Sequence, residues 1–177
     1  VVPEVAAREH AVTILPTIVE ALRQAKKTWQ DIDGIAVTGG PGLNTALVVG
    51  VETARTISYA LKKPLIRVNH IEGHIFSAWA GRSARSVRFP VVALIVSGGH
   101  TELILMRGFG RYALLGRTFD DAAGEAFDKV AKILGLPYPG GPTISQRAAR
   151  GDDTAFEFPR AMLGKTSLDF SYSGLKT

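Results

Sequence analysis

Leu65-Ile66-Arg67-Val68-Asn69-His70-Ile71-Glu72-Gly73-His74 passes from a strand pattern to a helical one within a few residues. Leu65 to Val68 is a short aliphatic run of strand type. Asn69 is suited to cap a helix that starts at His70. On that helix His70 and His74 stand at i and i+4, so both imidazoles share one face. The same order occurs upstream. Ile35-Ala36-Val37-Thr38 reads as a strand and breaks at Gly39-Gly40-Pro41-Gly42. Helical spacing then resumes with Leu43, Leu47, Val51, Ala54 and Leu61. Strand–helix–strand–helix implies parallel pairing through crossover helices, which places the chain in the α/β class. Before it, Leu15, Ile18, Leu22 and Ala25 make Glu4 to Lys27 helical, with Pro16 expected to kink or restart the helix.

Downstream the pattern changes. Gly81 to Ser86 is small and polar, as a linker is. Val91–Val96 and Thr101–Met106 read as strands joined by a Ser-Gly-Gly turn. After the Gly108-Phe109-Gly110 turn comes a third strand, Tyr112–Leu115. Consecutive strands with tight turns predict an antiparallel meander. Ala122 to Leu134 is then helical and stops at Gly135. Pro137 to Pro142 reads as a loop, Thr143 to Arg150 as a short helix, and the tail from Asp169 as a segment with no closing element. The expected organisation is two lobes, residues 1–88 carrying the histidine helix and 89–177 carrying the meander.

The 177 residues are 46% hydrophobic, ample for a core, and no apolar run approaches the roughly 18 residues of a membrane span. No basic segment of secretory type stands at the start. Cysteine is absent, so disulfides and thiolate metal sites are excluded, and a metal here must use His, carboxylate or water. These features fit a cytoplasmic protein. The net charge of +5 permits an RNA partner, although the basic residues are scattered.

Four strings could carry chemistry. His70 and His74 have the spacing to hold one transition metal through two nitrogens; they could equally be half-buried structural histidines. The zinc-protease arrangement needs a Glu directly after the first His, whereas Glu72 comes one position later. A third ligand is needed, and none stands nearby. Ser97-Gly98-Gly99 could use glycine at positive φ to converge N–H groups on a phosphate or carboxylate, or be a plain hairpin turn. Asp121, Glu125 and Asp128 fall at helical steps on one face. Beside them the small residues Ala122, Ala123, Gly124 and Ala126 leave room for something closely packed, such as a nucleotide; the plainer reading is a solvated acidic stripe. Pro139-Gly140-Gly141-Pro142 is a rigid turn or a backbone platform for a nucleoside. A two-nitrogen metal site and a phosphate-gripping turn together suggest work on an activated phosphate or acyl-phosphate compound.

In combination these strings resemble the TsaD family, the tRNA N6-adenosine threonylcarbamoyltransferases once called Gcp. The resemblance is carried, in family order, by Val2-Pro3-Glu4 with Arg8-Glu9-His10, Gly40-Pro41-Gly42-Leu43, His70 to His74, Val96 to Thr101, Asp120 to Asp128, Tyr138 to Pro142 and Asp169 to Thr177. Val-Ser-Gly-Gly-His-Thr resembles the bacterial members. The resemblance implies a two-lobed actin/Hsp70/sugar-kinase-like fold, here partial. It implies transfer of a threonylcarbamoyl group from threonylcarbamoyl-adenylate to N6 of the adenosine just 3′ of the anticodon, in tRNAs reading A-starting codons (t6A modification). On the same resemblance His70 and His74 hold one divalent metal, iron(II) ahead of zinc. Ile95, Val96, Ser97, Gly98 and Gly99 line the adenylate site, Asp128 contacts its ribose, and Gly141 its nucleoside end. The implied partners are the adenylate, tRNA, and TsaB-like and TsaE-like proteins, with no membrane.

The family's first phosphate hairpin and its last nucleoside and metal residues have no counterpart in this sequence. The chain is therefore expected to be an internal fragment, inactive alone, with the third metal ligand beyond Thr177. Competing readings are a metalloprotease, the family's old label, and a non-catalytic scaffold paralogue, which would lack the two histidines. A sugar- or acetate-kinase relative would not need them either.

Overall fold

The computed structural model describes residues 3–83 and 86–177. Val2 of the amino-terminal string, and Ala84 and Arg85 of the expected linker, lie outside the described residues. The chain divides into two compact units, Val1–Ala80 and Gly81–Thr177.

The first unit runs α1 (Pro3–Gln24), β1 (Ile35–Gly40), α2 (Asn44–Leu61), β2 (Leu65–Asn69) and α3 (His70–Ser77). β1 and β2 pair in parallel, as expected, with Ile35 opposite Leu65 and Thr38 opposite Val68. α2 is the crossover and packs on β1, and α1 packs on α2. The register slips between Thr38 and Gly40, where Gly40 takes φ +133, a conformation that side chains disfavour. Of the kink or restart expected at Pro16, the restart does not occur: α1 is a single helix with Pro16 inside it. Proline removes its own ladder N–H and crowds the carbonyl four residues back, that of Val12, yet the helix continues past it. The flanking Thr13 and Thr17 hydroxyls donate back to the carbonyls of Glu9 (2.7 Å) and Thr13 (2.8 Å).

The second unit begins with the expected meander, β3 (Val91–Val96), β4 (Thr101–Gly108) and β5 (Arg111–Arg117), in the order β3-β4-β5. β4 is central and the most buried of the three. Ile95, Ile104 and Met106 supply the sheet's share of the core. Ala122, Ala123, Ala126 and Ala131 supply the other side, from α4 (Ala123–Ile133) and the residue before it. α4 stops as predicted: Gly135 sits at φ +65, its N–H donates to the Lys132 carbonyl, and the Leu136 N–H donates to that of Ala131.

Two expectations for this unit are corrected. The Pro137–Pro142 loop is shorter than predicted, because α5 (Gly140–Ala148) begins at Gly140. Pro142 lies in its first turn, where a missing N–H costs nothing, and Gly140 packs so tightly on α4 that a Cβ there would lie 2.5 Å from the Phe127 carbonyl oxygen. The tail also has an element of its own. Phe170 bridges in parallel to Thr118, and residues Ser173–Lys176 form a 3-10 turn against α4.

Candidate functional site

The histidines owe their phase to Asn69. Its side-chain oxygen accepts the N–H groups of Ile71 (2.8 Å) and Glu72 (3.3 Å), so α3 starts at His70. Ile75, 3% exposed, anchors the helix on a neighbouring face. The half-buried rings of His70 and His74 then meet edge to face, with Nε2 of one 3.1 Å from Nε2 of the other. Two nitrogens bound to one ion at about 2.1 Å stand roughly 3.0–3.4 Å apart, so the pair has the spacing of two ligands. Gly73 between them leaves open space, since a Cβ there would meet nothing within 4 Å. Among the described residues no group of three or more His, Asp or Glu is assembled as a metal cage, so the pair supplies two ligands of the number an ion needs.

The Ser97–Gly99 turn is organised by Ser97 itself. Its N–H donates to the His100 carbonyl (2.9 Å), and its Oγ accepts the N–H groups of His100 (3.0 Å) and Gly99 (3.3 Å). Two N–H groups that could have converged on an anion are thus held by the serine hydroxyl. Neither Gly98 nor Gly99 has positive φ, so the conformational need for glycine expected from the sequence is absent. Nor does the chain crowd them: a Cβ on either would meet nothing within 4 Å. What two glycines do here is leave the backbone uncovered. Along the strand leading in, Ile95 is buried and Val96 is 55% exposed, so their side chains serve opposite faces.

Of the small residues at the start of α4, Gly124 packs against the hairpin. A Cβ on Gly124 would lie 2.7 Å from the Ser97 carbonyl oxygen and 2.9 Å from Gly98 Cα. The object packed closely against Gly124 is the hairpin. The first N–H groups of the helix are spoken for in the same contact: Ala123 N–H donates to the buried Thr101 hydroxyl (2.8 Å) and Gly124 N–H to the Ser97 carbonyl (3.1 Å).

The acidic stripe separates into parts. Asp121 lies before α4 and not on it; it takes Lys129 (2.5 Å) on one oxygen and Lys176 (3.0 Å) on the other, while Glu125 also contacts Lys129 (2.9 Å). Hydrogen bonds donated by Lys129 and Lys176 hold the Asp121 carboxyl below its usual range, and acceptance by Asp121 and Glu125 raises the Lys129 ammonium. Asp128 stands apart and accepts the Gly140 N–H (2.7 Å). That bond joins Asp128 to the start of α5, where Gly141 has open space in place of Gly140's crowding. Beside Asp128, with Lys132 and Tyr138 among its walls, is a hollow of about 380 Å³.

Sequence reasoning missed Asp120. Its carboxylate accepts the Ser171 hydroxyl (2.5 Å) and the N–H groups of Tyr172 (2.8 Å) and Ser173 (3.3 Å). Burial pushes this carboxyl up, but these bonds outweigh it and hold it down to about 2. The only hint was that both partners fall within strings already singled out, Asp120 to Asp128 and Asp169 to Thr177. No helix of the described residues is long and apolar enough to cross a membrane.

Over residues 1–177 the chain matches the family described as TsaD: tRNA N6-adenosine threonylcarbamoyltransferase. It is 57% identical over its whole length to a protein of that name from Geotalea uraniireducens, covering 51% of that protein. It is 55% identical to another from Thermomicrobium roseum, covering 49%. The chain thus spans about half the length of the curated relatives it matches. Among solved structures it is similar to YeaZ from Pseudomonas aeruginosa, at 22% identity and TM-score 0.43 over 59% of this chain and 50% of that one. A second chain, described as similar to peptidase YEAZ from Pseudomonas aeruginosa, gives 18% identity and TM-score 0.44 over 81% of this chain and 78% of that one.

Proposed function

The chain belongs to the TsaD family, and we propose on that footing that the whole protein makes t6A. It would transfer threonylcarbamoyl from threonylcarbamoyl-adenylate to N6 of the adenosine just 3′ of the anticodon, in tRNAs reading A-starting codons. In this reading the two units are the remainder of an amino-terminal lobe and the first part of a carboxy-terminal lobe of an actin/Hsp70/sugar-kinase-like fold. The protein works in the cytoplasm with tRNA and with TsaB-like and TsaE-like partners, and the 177 residues alone are inactive.

His70 and His74 hold one divalent metal, iron(II) ahead of zinc, with further ligands from outside this chain. When bound, the ion supplies Lewis acidity toward an oxygen of the substrate. Ile95 to Gly99 line the adenylate site. The bare backbone at Gly98 and Gly99 supports close approach of the ligand there, and N–H groups of the turn would steady negative charge on it. Entry of an anion at the turn would require Ser97 Oγ to give up the Gly99 and His100 N–H groups. Asp128 binds the ribose, and Gly141, with its open face, meets the nucleoside end.

The observation that carries this reading is the convergence of His70 Nε2 and His74 Nε2 at 3.1 Å. It has no use in a scaffold paralogue or a sugar kinase. The test is metal content and tRNA modification by the full-length protein, wild type against His70→Ala, with circular dichroism as the folding control. Loss of metal and activity with folding retained is expected. Unchanged metal content, or full activity without the imidazole, overturns the assignment.

A further inference from the structure

Three chain segments meet at the loop between β5 and α4. On one side the loop is tied to the hairpin: Thr118 N–H donates to the Thr101 carbonyl (2.9 Å), Ala123 N–H to the Thr101 hydroxyl, and Gly124 N–H to the Ser97 carbonyl. Within the loop the Thr118 hydroxyl donates to the Asp121 carbonyl (2.8 Å). On the other side it is tied to the tail. Asp120 takes three donors from Ser171 to Ser173, and Asp121 takes Lys176. Farther along the tail, Phe119 N–H donates to the Phe170 carbonyl (3.0 Å) and Phe170 N–H to that of Arg117 (3.0 Å). Gly116 has no room for a Cβ, because the Leu168 backbone fills that space.

We propose that Asp120 is a positioning residue for the adenylate site: by pinning Ser171–Ser173 to this loop it fixes the turn at Ser97–Gly99 and, through α4, the place of Asp128. The proposal rests on the reading of those residues as adenylate ligands. Asp120 has the geometry of a clamp. One oxygen receives two successive backbone N–H groups and the other a hydroxyl, so three donors from one segment converge on a single carboxylate. Bonds to an ionised group are stronger than neutral ones. The carboxylate makes no bond to the hairpin itself among those described; it acts through the backbone of its own loop. Without it Ser171–Ser173 lose their three bonds to the loop, leaving Lys176 on Asp121 and the Phe170 backbone pairing as the tail's remaining ties, and the support behind the start of α4 is weakened.

The experiment uses the full-length, metal-loaded protein with its partner proteins, varying threonylcarbamoyl-adenylate at saturating tRNA. Asp120→Ala should raise KM for the adenylate tenfold or more while kcat stays within about twofold. Asp120→Asn should recover most of the loss, because the amide oxygen still accepts the Tyr172 N–H and its NH2 can donate to the Ser171 hydroxyl. Ser171→Ala, which keeps the backbone bonds, should raise KM about threefold and serves where Asp120→Ala fails to fold. The proposal is overturned if a folded Asp120→Ala melts lower with KM unchanged, if Asn is as damaging as Ala, or if Ser171→Ala leaves KM where it was. Gly98→Val separates the two layers of the argument, since it fills the open space over the turn directly. If it raises KM and Asp120→Ala does not, only the positioning role fails. If Gly98→Val leaves KM unchanged, the adenylate site itself is misplaced and both readings fall.

Discussion

His70 and His74 face each other because they are four residues apart on one helix, and everything needed to bring them together lies between Asn69 and Ile75. Ser97 meets Gly124, and Asp120 meets Ser171, only because the second unit has folded. The first geometry is local and rests on one cap and one buried isoleucine. The second is a junction of distant segments, closed around Thr101, 1% exposed. Damage to the local site should therefore remain local, whereas damage at the junction should spread through its unit.

The largest effect is expected where two backbones touch. Gly124→Ala forces a methyl to within 2.7 Å of the Ser97 carbonyl oxygen, and overpacking of this kind costs up to about 3 kcal/mol. Gly98→Ala, on the opposing turn, meets open space and should change stability by no more than about 0.5 kcal/mol. Urea unfolding of the two full-length variants measures the contrast. Equal losses would mean that the hairpin does not rest on α4 as described. Thr101→Val comes next. It keeps the shape of a buried side chain but strands the Ala123 N–H, at roughly 2 kcal/mol; Thr101→Ser should cost less, because the hydroxyl remains. A silent Thr101→Val would detach α4 from the hairpin in solution.

On the other side of the comparison, Asn69→Ala removes the acceptor for two N–H groups at the start of α3 and should cost about 1 kcal/mol. Its effect should stay with the histidines. Limited proteolysis is expected to speed up around α3 and to be unchanged in the meander. Faster cleavage at the Ser97 turn would break the claim that this site is self-contained.

The same distinction explains what the sequence could reveal. The histidine helix was legible because a cap residue, a helical interval and two imidazoles sit within a few positions. So were the strands, whose apolar runs and turns are local signals, and the stop at Gly135. The start of α5 was hidden because Gly140-Gly141-Pro142 has the composition of a loop. Only packing on α4 shows that Gly140 is there for contact, and only its place in the first turn makes Pro142 harmless. Gly124 was visible as a small residue, but what it accommodates was not, because the hairpin against it lies more than twenty residues earlier. Asp120 was missed altogether: neither periodicity nor spacing can connect it to Ser171, about fifty residues on.

The gentlest test sharpens that last point through pH. Hydrogen bonds from Ser171, Tyr172 and Ser173 hold the folded Asp120 carboxyl at about 2, against an ordinary value near 4. A carboxyl whose folded value is depressed adds stability that is fully present above its unfolded value and is lost as pH falls through the folded one. Wild type should therefore exceed Asp120→Asn in urea midpoint at pH 6, with the gap narrowing from about pH 4 and closing near pH 2. Taking the difference matters, because Asp121, Asp152 and Asp169 are also held low in this unit and lose stability over the same acid range in both proteins. A gap that stays constant from pH 6 to pH 2 would mean that the carboxylate does not hold the tail. The long-range junction would then rest on the Asp121–Lys176 pair and the Phe170 backbone bonds alone.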